Sequence, residues 1–236
     1  MGITLNLAWN AAASNSRADR DAVRASDGEW FRWFADPVYG RGYPSDKVAD
    51  FTKMGALPNG LDFVQPGDMD VIATPTDFIG LNYCSRHVIR AEGADNDPQI
   101  VFDHPKTPEH WTEMGWENHP DGLLGVLGCV YFDYQPLKIY ITENGASYST
   151  PPDEKGEIHD EHRTNYLRTH FVAMHRALQA GVPLAGYFLW SLLDNFEWSW
   201  GYLQRFGIIW VDYETQKRTL KDSAKWYKKV IKKNGF

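Results

Sequence analysis

Short apolar runs alternate with longer amphipathic stretches along this sequence. Four mainly apolar runs predict buried strands over 2–6, 78–82, 138–142 and 186–190. The clearest helical pattern spans 161–180, where apolar residues recur at spacings of one to four, with Asp160 as its candidate N-cap and Gly181 as its candidate C-cap. Further helices are predicted over 20–35, over 121–131 and from Asp222 onwards.

Strands that alternate with helices favour right-handed βαβ crossovers and a parallel sheet whose faces are covered by helices. The stretch 85–118 is too long for a simple connection, and it predicts a hairpin from 87–90 and 99–102 followed by a loop rich in Pro, His and Trp. No repeat and no low-complexity linker divides the chain, so we expect one α/β domain over 1–236.

Composition narrows the functional classes. The 236 residues carry 31 acidic and 24 basic side chains, a net charge of −7, so no excess of cations favours nucleic acid. No segment approaches the ~18 consecutive apolar residues of a membrane span, and the start lacks the layout of a secretion signal, so a cytoplasmic location is expected. Cys84 and Cys129 fit no metal spacing and are interpreted as reduced thiols. The pairs His104/His110 and His159/His162 lack completing ligands, so neither a metal nor a cofactor is expected.

Polar and aromatic residues follow each predicted strand, where parallel α/β sheets bind ligands. The ends offer Asn6, Asn82, Glu143 with Asn144-Gly145, and Trp190 followed by Asp194, Glu197 and Trp198. Taken alone, Thr142-Glu143-Asn144-Gly145 is more typical of a turn beside a solvated glutamate than of a site. In a partly dry pocket, the same carboxylate can attack an anomeric carbon and form a covalent glycosyl-enzyme.

Ten tryptophans are many for this length. Core packing accounts for several, among them Trp30, Trp33 and Trp226 on predicted helices. The segment 190–200 differs, because its tryptophans alternate with carboxylates and an amide. Sugars present C–H faces that rest on aromatic rings and hydroxyl groups that need such polar partners, so this segment favours a sugar site.

Several motifs in order resemble those of glycoside hydrolase family 1, the retaining β-glucosidases. They are Thr142-Glu143-Asn144-Gly145, Phe78-Ile79-Gly80-Leu81-Asn82-Tyr83, the segment 190–198 from Trp190 to Trp198, and Arg205-Phe206-Gly207-Ile208 with Val211-Asp212-Tyr213. The resemblance runs from Met1 nearly to the C-terminus. It implies a β-glucoside or oligosaccharide as substrate.

The resemblance also implies a role for individual residues. Glu143 would be the nucleophile, with Asn82 as a hydrogen-bonding residue beside it. The sugar would be held by four further residues: Trp190 beneath the nonreducing ring, Glu197 on its outer hydroxyls, Trp198 in support, and Trp116 on the leaving-group side. Phe206 would lie near the same entrance.

Two departures from the family pattern change the expected activity. Cys84 replaces a tyrosine whose hydroxyl normally hydrogen-bonds the nucleophile, and a thiol donates weakly. A retaining glycosidase also needs a second carboxyl group about 5 to 5.5 Å from the first. The family carries it in a Thr-Leu-Asn-Glu-Pro motif that this chain lacks, since Thr4-Leu5-Asn6-Leu7 matches the family's fifth strand instead.

The chain therefore resembles strands five to eight, the C-terminal half, of a (β/α)₈ TIM barrel. Half a barrel leaves open strand edges, so we expect a partner, either a complementary N-terminal half or a second copy. Hydrolysis by the isolated chain is expected to be weak or absent. A sugar-binding module without catalysis and a self-associating half-barrel are alternative interpretations, and Glu197 or Glu117 is an alternative acid.

Overall fold

The protein is an α/β chain, and the computed structural model describes residues 1–93, 97–101, 107 and 109–236. The strands in these residues are β1 Gly2–Asn6, β2 Trp9–Ala12, β3 Phe78–Asn82, β4 Arg86–Glu92, β5 Asp97–Val101, β6 Ile139–Glu143, β7 Leu184–Tyr187, β8 Ile209–Val211 and β9 Arg218–Leu220. The α-helices are α1 Arg17–Asp27, α2 Trp33–Val38, α3 Ser45–Lys53, α4 Asp68–Ile72, α5 Pro120–Tyr134, α6 Glu161–Gln179 and α7 Asp222–Lys233.

A parallel sheet in the order β1-β3-β6-β7 forms the centre of the molecule. Asn6 pairs in register with Asn82, and a register shift after Leu81 sets Asn82 opposite Glu143. Three polar residues from three strands therefore stand side by side at one edge of the sheet. This is the arrangement predicted from the strand ends.

The two faces of the sheet differ. Leu5, Ile79, Leu81, Ile139 and Ile141 are buried on one face, in one core with Leu123, Leu127 and Val130 of α5 and Met174 and Ala177 of α6. On the other face, Gly80 lies between Thr4 and Thr142, and a Cβ at Gly80 would overlap both threonine side chains. Phe188, just beyond β7, is 58% exposed. Small residues and exposed side chains thus mark the face that lies away from this core.

The predicted strands 2–6 and 78–82 are confirmed residue for residue. The third strand ends one residue later than predicted, so that Glu143 itself belongs to it. The prediction of 186–190 is wrong at both ends, because β7 spans Leu184–Tyr187. Beyond it the chain leaves the strand path, and the Trp190 N–H donates to the Asn144 carbonyl at 3.0 Å.

The predicted helices exist, with corrected boundaries. The single helix expected over 20–35 consists of α1, a π-helical turn at Gly28–Arg32 and α2. A Cβ on Gly28 would lie 2.8 Å from Lys47 Cγ, so close packing against α3 requires glycine there. Asp160 precedes α6 as predicted but makes no side-chain cap, because its carboxylate accepts hydrogen bonds from Ser223 and Arg163.

The expected hairpin is present as antiparallel β4 and β5, with Ile89 opposite Ile100. Its predicted last residue, Phe102, lies outside the described residues, as does His104. Strand β2 adds to the hairpin in parallel through β4. None of the helices in the described part of the chain is long and apolar enough to cross a membrane.

Candidate active site

A cavity of about 610 Å³ opens at the carboxyl ends of β1, β3 and β6. Six of the seven predicted site residues line it: Asn82, Trp116, Glu143, Trp190, Glu197 and Trp198. Asn6 and Cys84 line it as well. The sheet edge and the segment after β7 thus bring together the residues that the sequence had placed at separate strand ends.

Glu143 is half-buried at the end of β6. Burial raises the pKa of its carboxyl group above the ordinary glutamate value; a hydrogen bond from Asn82 opposes that shift, and the charge of Glu197 adds to it. Thr142 Oγ1 donates to Asn82 Oδ1 at 2.7 Å, which leaves the amide NH₂ of Asn82 to donate to Glu143. Two neighbouring strands therefore hold the carboxylate and its donor in one fixed pair.

Asn144 and Gly145 are not the exposed turn that the motif alone suggests. Asn144 is fully buried, and its NH₂ donates to the Tyr83 carbonyl at 2.7 Å and to the Tyr166 hydroxyl at 3.0 Å. The Tyr187 hydroxyl donates to Asn144 Oδ1 at 3.0 Å. A Cβ at Gly145 would overlap the Trp190 carbonyl. Asn144 and Gly145 therefore connect the end of β6 with β3, β7 and α6, immediately after Glu143.

Trp190 and Glu197 form another part of the cavity wall. The Trp190 indole Nε1 donates to Glu197 Oε2 at 3.4 Å, and Glu197 is 6% exposed. Burial raises the pKa of Glu197, and the hydrogen bond from Trp190 opposes this shift. Trp198 is 79% exposed at the rim, where a ligand can reach its ring. An indole beside a buried carboxylate offers a ring face and an acceptor to a polyol.

Two polar residues of the segment 190–200, Asp194 and Asn195, stabilise the structure of the loop. Asp194 is buried and binds Arg205 Nη1 at 2.7 Å, Lys221 Nζ at 3.0 Å and the Gly207 N–H at 3.0 Å. Asn195 donates to Ser191 Oγ at 2.9 Å and to a backbone carbonyl. Both residues had been predicted to belong to the sugar site. Their hydrogen bonds instead hold the loop that presents Trp190 and Glu197.

Trp116 lies in the cavity wall and packs against Phe206. Trp116 faces the cavity, and its ring centroid is 5.8 Å from that of Phe206. Phe206 is 1% exposed and is not part of the cavity lining. It therefore supports Trp116 from behind, and a direct contact between Phe206 and a ligand stays a prediction.

Glu117 follows Trp116 in the sequence, but its carboxylate binds Arg86. Arg86 Nε and Nη2 lie 2.7 and 2.6 Å from its two carboxylate oxygens. Its backbone N–H donates to Ser85 Oγ at 3.1 Å. Both carboxylate oxygens of Glu117 are therefore engaged by one guanidinium, and Glu117 is not part of the cavity lining.

Cys84 lies in the cavity wall, and Tyr83 points away from it, as strand alternation predicts. The Tyr83 hydroxyl donates to the His119 carbonyl at 2.7 Å. Burial, with smaller contributions from the charges of Glu143 and Glu197, raises the pKa of the Cys84 thiol to about 12. The thiol is therefore protonated at neutral pH.

His87 and Met114 also line the cavity and were not predicted as site residues. His87 lies on β4, and burial lowers its pKa. Both belong to the long 85–118 stretch, and that length was the only signal for them. Of the predicted histidine pairs, His159 lies on the surface with Asp153 and Glu157, their ligand atoms within 4.8 Å of one another. His159 does not line the cavity.

Comparisons with known proteins match these features. The model of glycosyl hydrolase family 1 matches residues 1–236. The 1,4-β-D-glucan glucohydrolase of Thermotoga neapolitana is 43% identical over 238 residues, and β-glucosidase A of Thermotoga maritima is 42% identical over 237 residues. Both alignments cover 100% of this chain and 51% of the relative, so the chain spans about half the length of these curated relatives.

Solved structures give the same picture. The family 1 β-glucosidase from Thermotoga maritima in complex with isofagomine lactam superposes with a TM-score of 0.89 at 41% identity, covering 100% of this chain and 51% of that one. An AHE enzyme from Alicyclobacillus herbarius gives a TM-score of 0.89 at 43% identity, covering 98% and 50%. This chain therefore corresponds to about half of each of these proteins.

Proposed function

The chain belongs to glycosyl hydrolase family 1, and on that premise we propose that it is the nucleophile-bearing C-terminal half of a retaining β-glucosidase. In this proposal β1, β3, β6 and β7 are strands five to eight of a (β/α)₈ barrel, and residues 1–236 form one half-barrel domain. One observation carries the proposal. Glu143 ends β6 inside a cavity that it shares with Asn82, Trp190 and Glu197.

The chemistry proposed for Glu143 is attack on the anomeric carbon of a β-glucoside. Its carboxylate oxygen bonds to that carbon while the bond to the leaving oxygen breaks with its electron pair. Water later displaces the glycosyl group from Glu143. Asn82 orients the carboxylate, while Trp190 and Glu197 hold the sugar from the other side.

The leaving oxygen needs a proton from a second carboxyl group. Among the residues that the structure describes, Glu143 and Glu197 are the carboxylates in the cavity wall. Glu197 accepts a hydrogen bond from Trp190, and Glu117 is held by Arg86. We therefore propose that the acid comes from polypeptide outside these 236 residues. Its absence removes a factor of roughly 10²–10⁴ from the rate.

The open sheet is consistent with such a partner. Strands β1 and β7 are the ends of the strand order, and no described strand pairs with their outer edges. A complementary N-terminal half would pair with both edges and close the sheet. A second copy of this chain is the alternative partner, since a β1 edge and a β7 edge are parallel and free in each copy. A well-behaved monomer in gel filtration at low micromolar concentration would contradict both.

A sugar-binding module without catalysis is the second candidate function. The Trp190–Glu197 pair favours it, because this pair is complete within the described residues and needs no contribution from a partner. We further propose a cytoplasmic location, in keeping with the unpaired Cys84 and Cys129. Cell fractionation with an antibody to the chain tests the location.

Reconstitution tests the catalytic proposal. The purified chain is assayed with p-nitrophenyl β-glucoside alone and after mixing with the complementary half of a Thermotoga β-glucosidase. We expect turnover in the mixture and little or none in either part, with Glu143→Gln inactive in both settings. Turnover by this chain alone at ordinary family rates contradicts the missing acid. A mixture that associates but stays inactive contradicts the assignment of Glu143.

A further inference from the structure

A histidine is buried on α6, one helical turn after Tyr166. His170 has no exposed surface, and its imidazole ring stacks on the Tyr166 ring with the two centroids 3.9 Å apart. The ring centroid of Tyr83 lies 6.0 Å from that of His170. His170 does not line the candidate active site, so any effect that it has on the site passes through these neighbours.

The hydrogen bonding of His170 fixes which ring nitrogen carries the proton. Nδ1 lies 2.8 Å from the Tyr166 carbonyl oxygen, which can only accept, so Nδ1 carries the proton and donates it. The other nitrogen, Nε2, is buried and has no hydrogen-bond partner in the described part of the chain. A second proton on the ring binds to Nε2, where it creates a positive charge and a donor without an acceptor. Such a group is costly in a protein interior.

The titratable groups that the structure describes around His170 offer no negative charge in acid. Tyr83 follows β3 and Tyr166 lies on α6, and burial raises the pKa of both hydroxyl groups well above the ordinary value. Both are therefore neutral. His119 precedes α5, and its positive charge disfavours a second one at His170. Burial lowers the pKa of His170 to about 4; the charge of His119 adds to that shift, while the hydrogen bond to the Tyr166 carbonyl opposes it.

Tyr166 connects His170 to the candidate active site. Its hydroxyl donates to the Cys84 carbonyl at 3.2 Å and accepts from Asn144 Nδ2 at 3.0 Å. Cys84 lines the cavity, and Asn144 directly follows Glu143 in the sequence. One hydroxyl group therefore joins the ends of β3 and β6 beside Glu143. A displacement of the Tyr166 ring breaks both contacts.

We propose that His170 is a pH-sensitive switch behind the candidate active site: its protonation in acid displaces Tyr166 and separates the ends of β3 and β6. Because Nδ1 is bonded to the Tyr166 carbonyl and the two rings are stacked, Nε2 reaches water only when the ring rotates away from Tyr166 or this turn of α6 opens. The site is closed while His170 is neutral. The inference concerns the shape of the site and does not rest on the function proposed above.

Proton linkage gives the direction and the size of the effect. In an opened chain the ring has its ordinary pKa of 6.5, whereas in the closed chain burial lowers that pKa to about 4. Between these two values the open state binds more protons, so opening becomes more favourable as the pH falls below 6.5 and levels off below about 4. From pH 7 to pH 5 this one residue shifts the opening equilibrium roughly twentyfold.

Hydrogen exchange of the Trp190 backbone amide in the 236-residue chain measures the opening, because this N–H donates to the Asn144 carbonyl at 3.0 Å. Its protection factor should fall roughly twentyfold from pH 7 to pH 5. The amide of Val130, in the buried part of α5, is the internal reference and should lose much less protection. A loss of the same size at Trp190 and Val130 means that the chain unfolds as a whole, and it overturns the proposal.

Two matched variants identify the titrating group. His170→Asn keeps an amide N–H that can donate to the Tyr166 carbonyl but does not titrate, so the protection of Trp190 should hardly change between pH 7 and pH 5. His175→Asn, at an exposed position of the same helix, should behave like the unchanged chain. An equal loss at Trp190 in His170→Asn and in the unchanged chain overturns the proposal.

Imidazole ¹⁵N spectra of the unchanged chain keep the test decisive if His170→Asn loses its dispersed spectrum. We expect the His170 ring of the closed chain to show the Nδ1–H tautomer and to remain neutral at pH 5. Signals of a protonated ring should appear only together with the loss of Trp190 protection. A His170 ring that is already protonated at pH 6 while Trp190 stays protected overturns the proposal.

Discussion

The indole nitrogen of Trp190 lies 3.4 Å from the carboxylate of Glu197, and both residues line the same cavity as Glu143. The contact joins two residues seven positions apart through a loop that Asp194 holds together. The loop therefore holds the Trp190 ring and the Glu197 carboxylate at a fixed distance from each other, and both can contact a ligand. The first prediction concerns this pair.

Trp190→Ala should weaken glucose binding at the candidate active site roughly tenfold or more, because it removes both the ring surface and a hydrogen bond to a charged acceptor. Glu143→Gln should leave the affinity nearly unchanged, because its amide keeps the size of the side chain. Trp190 chemical shifts, or those of Trp116 in the variant, measure the affinity. Trp30→Ala is the control, because Trp30 is 67% exposed and not in the core as the sequence predicted. Equal losses in Trp190→Ala and Trp30→Ala contradict the assigned role.

The raised pKa of Glu143 predicts the pH dependence of its reactivity. A 2-fluoro glucoside with a good leaving group needs the ionised carboxylate but little acid assistance. The limiting labelling rate should therefore fall as the pH drops through the raised pKa, at higher pH than for an ordinary glutamate. Mass spectrometry measures the rate and locates the label. An unlabelled Glu143 would show that the residue is not a competent nucleophile in this chain.

Glu197→Gln should move that pH profile to lower pH, since it removes the negative charge that helps to raise the pKa of Glu143. The midpoint of the limiting rate is compared, so that weaker sugar binding does not enter. Glu161→Gln, at an exposed position at the start of α6, should leave the midpoint in place. A midpoint that does not move in Glu197→Gln means that the two carboxyl groups are not coupled.

Gly145→Ala should destabilise the protein and distort the site, because the new methyl group overlaps the Trp190 carbonyl. Neither backbone can move without disturbing the hydrogen bonds of Asn144. Gly128→Ala is the matched control, since it lies within α5 and its Cβ meets nothing within 4 Å. That change should be neutral or stabilise by about 0.5–1 kcal/mol through helix propensity. Urea unfolding gives both values, and equal behaviour of the two variants rules out the proposed clash.

Asp194→Asn should cost about 3–5 kcal/mol in the free energy of unfolding, because it leaves Lys221 buried without its ionic partner. The side chains of both residues are fully buried. Asp121→Asn breaks an exposed ion pair with Arg176 and should cost about 1 kcal/mol or less. Denaturant titration compares the two, and a small effect at Asp194 means that solvent reaches this ion pair.

The strand predictions show where local sequence is sufficient to predict the limits of a strand. The runs 2–6 and 78–82 are short and mainly apolar and end on an asparagine, and both form strands with those limits. The run 186–190 has the same appearance, yet the strand ends at Tyr187. Beyond that point, the backbone N–H groups of Trp190 and Ser191 donate to the carbonyls of Asn144 and Phe206, which are distant in sequence. The π-helical turn after Asp27 was not predicted either, and its Gly28 packs closely against Lys47, which belongs to another helix.

Sequence by itself determined which chemical groups the chain carries and in what order they leave its strands. The row of Asn6, Asn82 and Glu143 follows directly from that order, because parallel strands bring their carboxyl ends to one edge. Only the tertiary structure decided which polar groups face the cavity. Asp194 and Glu197 are three residues apart in one segment, but Asp194 meets two cations and backbone N–H groups while Glu197 meets an indole. The partners of Asp194 lie 11 to 27 residues further along the chain, and only folding brings them to its carboxylate. A buried carboxylate must be paired, so the available donors decide which of the two faces the cavity.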